Sequence, residues 1–332
     1  MGYAAEKKKA DRKWSKAKTI VVIVVACVVL VAAILSVFLP AWSWKYRVSL
    51  PKVERGEDGE LRIHFIDVGQ GDATLIELPD GKIALIDGGD DTKETEYAIM
   101  RYLYALDIET IDYLILTHAD EDHCGALDTV VENVAVKQAY LPLQSATVNT
   151  QYAELYTALL ENEIAYVYAH NGVDMSGEGY TFTFLHPFAY DVTNALEANK
   201  NFDTASNEYS AVVWLEYNGV GSLFTGDLPA SQERVLAQAY SIGAVNAELA
   251  KTEILKVGHH GSQNSTSQEL LSVIPNLKTA IISCGENAYG HPHEEVLERL
   301  TKTDVYRTDE DGSVFISIKK DEQTYSVTTL GK

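Results

Sequence analysis

The sequence predicts an α/β layered domain carried behind one membrane-spanning helix. An uncharged apolar run, residues 19–39, follows a basic start. Beyond residue 60, short β-type runs give way to helical patterns twice over, the order expected of strands layered with helices. Several apolar strands also run straight into loops of His and Asp, where side chains can converge on a cleft while a sheet fixes their backbone.

The N-terminal segment sets the topology. Residues 19–39 span 21 positions without a charge, roughly 31 Å of helix and enough to cross the hydrocarbon core. Pro40 is read as its stop, and Trp42, Trp44 and Tyr46 as an interfacial aromatic belt. The chain carries 27 Lys+Arg against 48 Asp+Glu, a net charge of −21, yet residues 1–18 hold seven basic and two acidic residues. That +5 start leaves −26 on the rest. The positive-inside rule then keeps residues 1–18 in the cytoplasm and places the remaining chain outside as a single-pass, extracellular domain. A cleaved signal peptide has a shorter apolar core and a small-residue site. Cys27 follows a loose lipoprotein-like Val-Val-Ala, but apolar residues continue after it. The reading is a cytoplasmic segment 1–18, a signal anchor 19–39, a linker 40–60 and a folded domain 61–332. A body this acidic excludes a general polyanion-coating protein, though not a nuclease with a local site. Three cysteines, Cys27, Cys124 and Cys284, make no disulfide framework; the last two read as small buried thiols.

Along the domain, residues 61–68 form a first strand ending in a Gly-Gln-Gly turn. Residues 73–78 and 82–87 flank Pro79-Asp80-Gly81 as a hairpin. Glu94 to Leu106 has helical periodicity, and residues 113–117 are a buried strand entering a His/Asp loop. Residues 151–163 read as helix, 165–169 and 180–185 as strands, and Asp191–Tyr209 as a polar loop. A second hairpin turns at Asn218-Gly219. Gln232–Leu249 reads as helix, 253–260 as a strand ending in two histidines, 279–285 as a strand and 294–300 as helix, before strands return.

The chemistry concentrates in Thr117-His118-Ala119-Asp120-Glu121-Asp122-His123. A solvated acidic loop would account for the carboxylates but not for the flanking imidazoles. Metal binding accounts for both, since this donor mix suits zinc, manganese or iron. Gly226-Asp227 and Gly258-His259-His260-Gly261 each end another strand. Together they make a two-metal inventory: His118 and Asp120 for one ion, Asp122 and His123 for the other, Asp227 as a bridge, and one of His259 and His260 to close the set. Paired metals stabilise both the attacking and the leaving oxygen of a displacement. Asp87, before Gly88-Gly89, is positioned to orient a ligand histidine; Asp67, Gln70 and Asp72 line the first Gly turn and are assigned the same role. His291 and His293, restrained by Pro292, suit phosphate binding or protonation of a leaving group. His64, His170 and His186 read as structural.

Five stretches then carry a resemblance: residues 65–73 (FIDVGQGDA), 117–127 (THADEDHCGAL), 223–228 (LFTGDL), 255–262 (LKVGHHGS) and 283–297 (SCGENAYGHPHEEVL). The chain resembles the metallo-β-lactamase-fold hydrolases, and among them the hydrolase domain of the ComEC DNA-uptake proteins. The resemblance implies a four-layer αββα sandwich, two divalent ions (zinc or manganese) and a metal-bound hydroxide as nucleophile. The general family pattern is His-x-His-x-Asp-His; Asp120 stands at its second His, a hard oxygen donor that makes manganese more competitive. The resemblance also places Asn207 or Ser210 near the metals, Ser262 beside the final histidine and no ligand at Cys124. It favours His260 over His259.

The function expected on this reading is a membrane-anchored, extracellular metal-dependent phosphodiesterase or nuclease, with Asp122 essential. DNA follows from the resemblance, although the single membrane segment in this sequence makes a direct role in DNA import doubtful. A small or cell-wall phosphoester such as phosphorylcholine is the alternative substrate. A non-catalytic scaffold or sensor is the alternative of another class, and the full ligand set argues against it. Oligomeric state is not readable.

Overall fold

The structure, a computed structural model, describes residues 2–38, 41–145, 147–197 and 207–332. Leu39, the stop at Pro40 and the 198–206 part of the expected polar loop lie outside those residues. Two units are distinguished, Met1–Ser49 and Leu50–Lys332. The first holds a helix over Gly2–Phe38, of which Lys13–Ile34 is long and apolar enough to cross a membrane.

The second unit contains fourteen strands among the described residues: β1 Leu61–Phe65, β2 Thr74–Glu77, β3 Ile83–Ile86, β4 Thr110–Ile115, β5 Ala135–Leu141, β6 Tyr166–Tyr168, β7 Tyr180–His186, β8 Val212–Tyr217, β9 Val220–Phe224, β10 Thr252–Lys256, β11 Thr279–Ile282, β12 Asp304–Arg307, β13 Val314–Ile318 and β14 Ser326–Thr329. They form an eight-stranded sheet, β14-β13-β1-β2-β3-β4-β5-β6, and a six-stranded sheet, β12-β11-β10-β9-β8-β7. Both sheets change from antiparallel to parallel pairing part-way across. Strands buried on both faces read as continuous apolar runs, which is why β2, β3 and β9 show no alternation.

The sheets pack face to face through one apolar cluster. Phe65 of β1 stacks on Phe224 of β9 with ring centres 6.2 Å apart, and Tyr140 of β5 meets Phe184 of β7 at 5.4 Å. A second cluster seats Leu236, Leu270 and Val296, from the helices Ala230–Ser241, Gln268–Val273 and Glu294–Arg299, on Trp214, Leu223 and Leu255 of the smaller sheet. The helices Lys93–Ala105, Leu127–Asn133 and Thr150–Glu161 form the outer layer on the larger sheet. The layers therefore run αββα, as the resemblance implied.

Several element boundaries differ from the sequence reading, in which β5 and the helix Leu127–Asn133 have no counterpart. Ala189–Glu197 is helical rather than loop; it is short and broken up by Asp191, Thr193 and Asn194, and its Val192 joins Leu143 in a small apolar cluster. The helix expected to reach Leu249 stops at Ser241. Gly243 (φ +75°) ends it by donating its amide to Tyr240 O, while the Ala244 amide donates to Ala239 O, a left-handed helix terminus.

His64 is structural, as read. It is fully buried, its Nε2–H donates to Glu77 Oε1 at 3.0 Å, and the Tyr102 hydroxyl donates to its Nδ1 at 3.0 Å. Glu77 also takes Arg55 Nε at 2.8 Å and the Gly56 amide, so residues 55–60 are pinned to β2 instead of hanging free as linker. Burial pushes the imidazole below its ordinary pKa. The unfolded chain therefore takes up this proton first, and the contribution present above about pH 6.5 is lost as pH falls. Glu77 has the same sign: burial raises it, but His64 and Arg55 hold it below the usual range. In denaturant titrations between pH 7 and pH 5, the His64→Gln chain should lose less stability than wild type, by up to about 1.4 kcal/mol per pH unit. Equal slopes would remove His64 from the acid response.

Candidate metal centre

Three strand ends build the centre. β4 delivers His118 and the loop to His123, β9 delivers Asp227, and β10 delivers His259 and His260. Glycine permits two close approaches. Gly226 (φ +49°) would place a Cβ 2.9 Å from Thr117 Cβ, and Gly71 (φ +140°) one 2.6 Å from the Asp122 carbonyl. His259 and His260 both hold left-handed backbone, at φ +50° and +53°. Non-glycine residues there are strained, and such strain clusters at functional sites.

Asp227, almost wholly buried, lies at the middle. Its carboxylate is 3.9 Å from His118 Nε2, 3.2 Å from His123 Nε2, 3.4 Å from His259 Nε2 and 3.7 Å from His260 Nε2. Asp120 Oδ2 is 3.6 Å from His118 Nε2, and Asp122 Oδ2 is 3.1 Å from His260 Nε2. Three donor groups follow, His118–His123–Asp227, Asp122–His123–His260 and Asp72–Asp87–His123. His260 is buried, with Nδ1 2.9 Å from Ser283 O, whereas the His259 side chain is one-third exposed and its Nδ1 is 3.5 Å from Asn207 Nδ2.

The electrostatics call for positive charge. Burial raises Asp122, yet the His260 imidazole 3.1 Å away holds it down at about 2. Burial likewise opposes ionisation of Asp227, but His123 and His260 hold it well below the usual range. Burial lowers His260, and Asp227 and Asp72 overcome this to push it up to about 10; His123 is also held well above its ordinary value against burial, by Asp227 and Asp87. The carboxylates thus favour positive charge at the imidazoles, the charge a cation would bring. Moreover, Nε2 of His118, His123 and His260 and Oδ1 of Asp227 are buried without hydrogen-bond partners. Such groups are costly unless something fills the space between them. The residues present therefore fit divalent metal ions.

An outer ring fixes the ligands. Asp87 (φ +61°) accepts from Thr117 N and Thr117 Oγ1, each at 2.8 Å, and lies 2.8 Å from His123 Nδ1. Asp72 lies 3.4 Å from His260 Nδ1 and pairs at 2.7 Å with Lys256 Nζ, both groups buried. Outer partners of metal histidines carry a large share of affinity. Asp87→Asn should therefore weaken metal binding about 10–100-fold, read by titration against a chelating indicator. An unchanged affinity would show that Asp87 serves only the backbone.

Other sequence candidates fall elsewhere. Asp67 pairs with Lys332 and caps the Gly69 amide, touching none of the candidate ligands. Gln70 accepts from the Gly285 amide at the cleft edge. Ser262 serves a turn, its Oγ accepting from Asn264 N. Ser210 is buried with its carbonyl at His186 Nδ1, and burial lowers that imidazole, so His186 is structural. His170 bonds Asn171 O. The His291 ring centre is 5.4 Å from His259 and 6.5 Å from His260. Burial, then the neighbouring histidines, bring His291 down to about 4, and its Nδ1 is unpartnered. His293 meets His291 at 5.1 Å and precedes the helix Glu294–Arg299. Cys124 and Cys284 are free thiols, with Sγ donating to Ala119 O and Asp309 Oδ1 respectively.

Sequence reasoning gave Thr117 and Lys256 no role. A lone Lys inside the apolar strand 253–257 was the available signal for the second. Glu233 was missed as well; fully buried, it accepts from the Thr266 and Ser267 amides at 2.7 and 2.6 Å, and so secures the loop behind His259-His260.

Residues 66–199 match the family described as Metallo-beta-lactamase superfamily. This is a metallo-β-lactamase-fold domain. The match includes His118 to His123 and ends before Asp227 and His260. The metallo-β-lactamase-fold chain is also similar to ComE operon protein 3 of Bacillus subtilis (strain 168), at 30% identity over 81% of this chain and 34% of that protein. It is 32% identical to Recombination protein 2 of Haemophilus influenzae over 78% of this chain and 29% of the relative. Competence protein ComA of Neisseria gonorrhoeae matches at 27% over 77% and 32%. The chain thus spans about a third of the length of these curated relatives.

Proposed function

We propose that the domain is a dinuclear metal-dependent phosphodiester hydrolase, held by the N-terminal helix on the outer side of a membrane. The observation that carries the reading is the convergence of three unpartnered imidazole nitrogens on the buried Asp227 carboxylate. His118, Asp120 and Asp227, with His259 at the rim, would hold one ion; Asp122, His123, His260 and Asp227 would hold the other. Two such ions would supply Lewis acidity toward a phosphoryl oxygen and lower the pKa of a water molecule. The protein's own part is positional. Asp87 orients His123, Ser283 O orients His260, and the αββα scaffold fixes all three strand ends. His291, kept neutral beside the centre, is placed to donate a hydrogen bond to a phosphoryl oxygen.

The names of two relatives, Recombination protein 2 and Competence protein ComA, support DNA as one phosphodiester to try. The test uses the full-length chain in detergent, stripped with EDTA and reloaded with zinc or manganese, acting on bis(4-nitrophenyl) phosphate and on single-stranded DNA. Hydrolysis should vanish on stripping, return on reloading and be absent in Asp122→Ala. Turnover that survives EDTA, or a chain that binds no metal, would sink the reading.

A further inference from the structure

Three of the nine non-glycine residues with positive φ among the described residues fall within 259–266: His259 at +50°, His260 at +53° and Thr266 at +53°. A β-branched residue such as Thr266 is a steric outlier there. Such backbone persists only where its surroundings over-determine it. The fixings of this loop converge on one buried side chain. Glu233, in the first turn of the helix Ala230–Ser241, accepts from Thr266 N through Oε1 at 2.7 Å and from Ser267 N through Oε2 at 2.6 Å. Thr266 Oγ1 in turn accepts from Gly258 N at 3.2 Å, the amide directly before the histidine pair. Space at Gly258 is tight, since a Cβ there would lie 3.2 Å from Ser265 Cβ and 3.6 Å from Glu233 Oε1. Arg299 also holds the loop, with Nη1 donating to Ser265 O and Thr266 O at 2.7 and 2.8 Å.

The same connection reaches the loop that carries Asp227. Glu233 belongs to the helix that follows Asp227, whose first amide, Ala230 N, donates to Asn264 O at 2.7 Å. Ser265 Oγ donates to Leu228 O at 3.0 Å, and His259 N donates to Gly226 O at 3.0 Å. We infer that Glu233 is a positioning residue that locks the loop after β10 to the loop after β9, so that the left-handed turn presents His259 and His260 to Asp227. The two oxygens of Glu233 each receive an N–H. Glutamine keeps the shape but must turn an NH₂ toward one of those donors, so that contact is lost. Thr266→Val breaks the next link, since valine offers Gly258 N no acceptor. The consequence for catalysis rests on the proposed metal-dependent hydrolase, but the hold on the two rings is a property of the metal-free chain.

The test compares the full-length chain in detergent as wild type, Glu233→Gln, Thr266→Val and Leu103→Ala. Leu103 is fully buried in the helix Lys93–Ala105 of the larger sheet's outer layer, so its truncation costs stability without touching the loop. With ¹⁵N-labelled histidine and no metal, Glu233→Gln and Thr266→Val should shift the ring resonances of His259 and His260 and leave those of His118 and His123 in place. Leu103→Ala should leave all four at wild-type positions. Cobalt(II) titration, read by its visible absorption, then gives affinity without turnover. It should weaken about tenfold in both loop variants and hold in Leu103→Ala. The double variant Glu233→Gln, Thr266→Val should lose little more than either single change, because both act along one connection. Unmoved His259 and His260 resonances in both loop variants, or the same shifts in Leu103→Ala, would overturn the inference and leave Glu233 a core residue. If Glu233→Gln does not fold, Thr266→Val carries the same test. If wild type binds no cobalt, or binds it and hydrolyses no phosphodiester, the hydrolase reading fails by itself, and the ring resonances still decide the role of Glu233.

Discussion

The Asp227→Asn chain is expected to hold at most one divalent ion where wild type holds two, and to lose phosphodiester hydrolysis by at least about 100-fold. That figure is a lower bound, because replacing even an outer partner of a metal ligand costs 10–100-fold. Asp227 touches both halves of the centre, lying within 4 Å of His118, His123, His259 and His260. Asparagine keeps the shape and one oxygen but removes the charge that draws four imidazoles together. The backbone gives little room to compensate. The turn Thr225–Leu228 is closed by Leu228 N donating to Thr225 O, and His259 N donates to Gly226 O at 3.0 Å, which ties the carboxylate's loop to the histidine pair. Metal content by mass spectrometry and kcat/KM on bis(4-nitrophenyl) phosphate decide the point. Asp67→Asn is the matched control. That carboxylate pairs with Lys332 away from the centre, so its loss should leave both readings at wild-type values. Full loading in Asp227→Asn would mean that each ion is held without the bridge.

The contrast between Asp227 and Asp67 shows what a sequence can and cannot display. His118 to His123 pack four donors into six residues, so their chemistry is local and visible. Asp227 and His260 are visible because each ends an apolar run at a glycine, a place where a strand hands a side chain to a cleft. Asp67 has the same local signature, beside Gly69 and Gly71, but its partner is the C-terminal Lys332, and no spacing announces a contact that distant. The residues alone left the choice between His259 and His260 open, and only the resemblance favoured His260. The choice depends on two consecutive left-handed residues turning one ring inward and leaving the other at the rim. The α/β layering was legible because strands buried on both faces write themselves as continuous apolar runs, whereas the four-layer αββα order came only with the resemblance. The helix Ala189–Glu197 was not legible, because nine residues carrying Asp191, Thr193 and Asn194 are too short a window to set apart from the polar sequence that follows them.

Lys256→Met should destabilise the metal-free chain by about 3–5 kcal/mol, the usual cost of stripping one partner from a buried ion pair. Lys256 is 2% exposed, at the end of β10 between Leu255 and Val257. Its ammonium lies 2.7 Å from Asp72 and donates to Val257 O at 3.0 Å, so the pair is enclosed and hydrogen-bonded. Burial by itself would raise Asp72; Lys256, with His260 behind it, instead holds the carboxyl well below the carboxylate range. The sign of the pH dependence follows. A depressed carboxyl contributes stability above its unfolded pKa and loses it as pH falls, so the gap between wild type and Lys256→Met should be full at pH 7 and shrink below about pH 4. Joint replacement, Asp72→Leu with Lys256→Met, removes both charges and should cost much less than the single change, since apolar substitutes for a buried pair are often neutral. A double-mutant cycle in denaturant measures that coupling. The same substitution separates folding from site construction. The Asp72 amide donates to Asp122 O at 3.0 Å, so the turn that Lys256 anchors also carries the loop presenting Asp122. If the pair serves the centre, the stable double variant should still bind metal more weakly than wild type, because His260 has lost the carboxylate 3.4 Å from its Nδ1. If it serves only the core, stability and metal affinity should recover together.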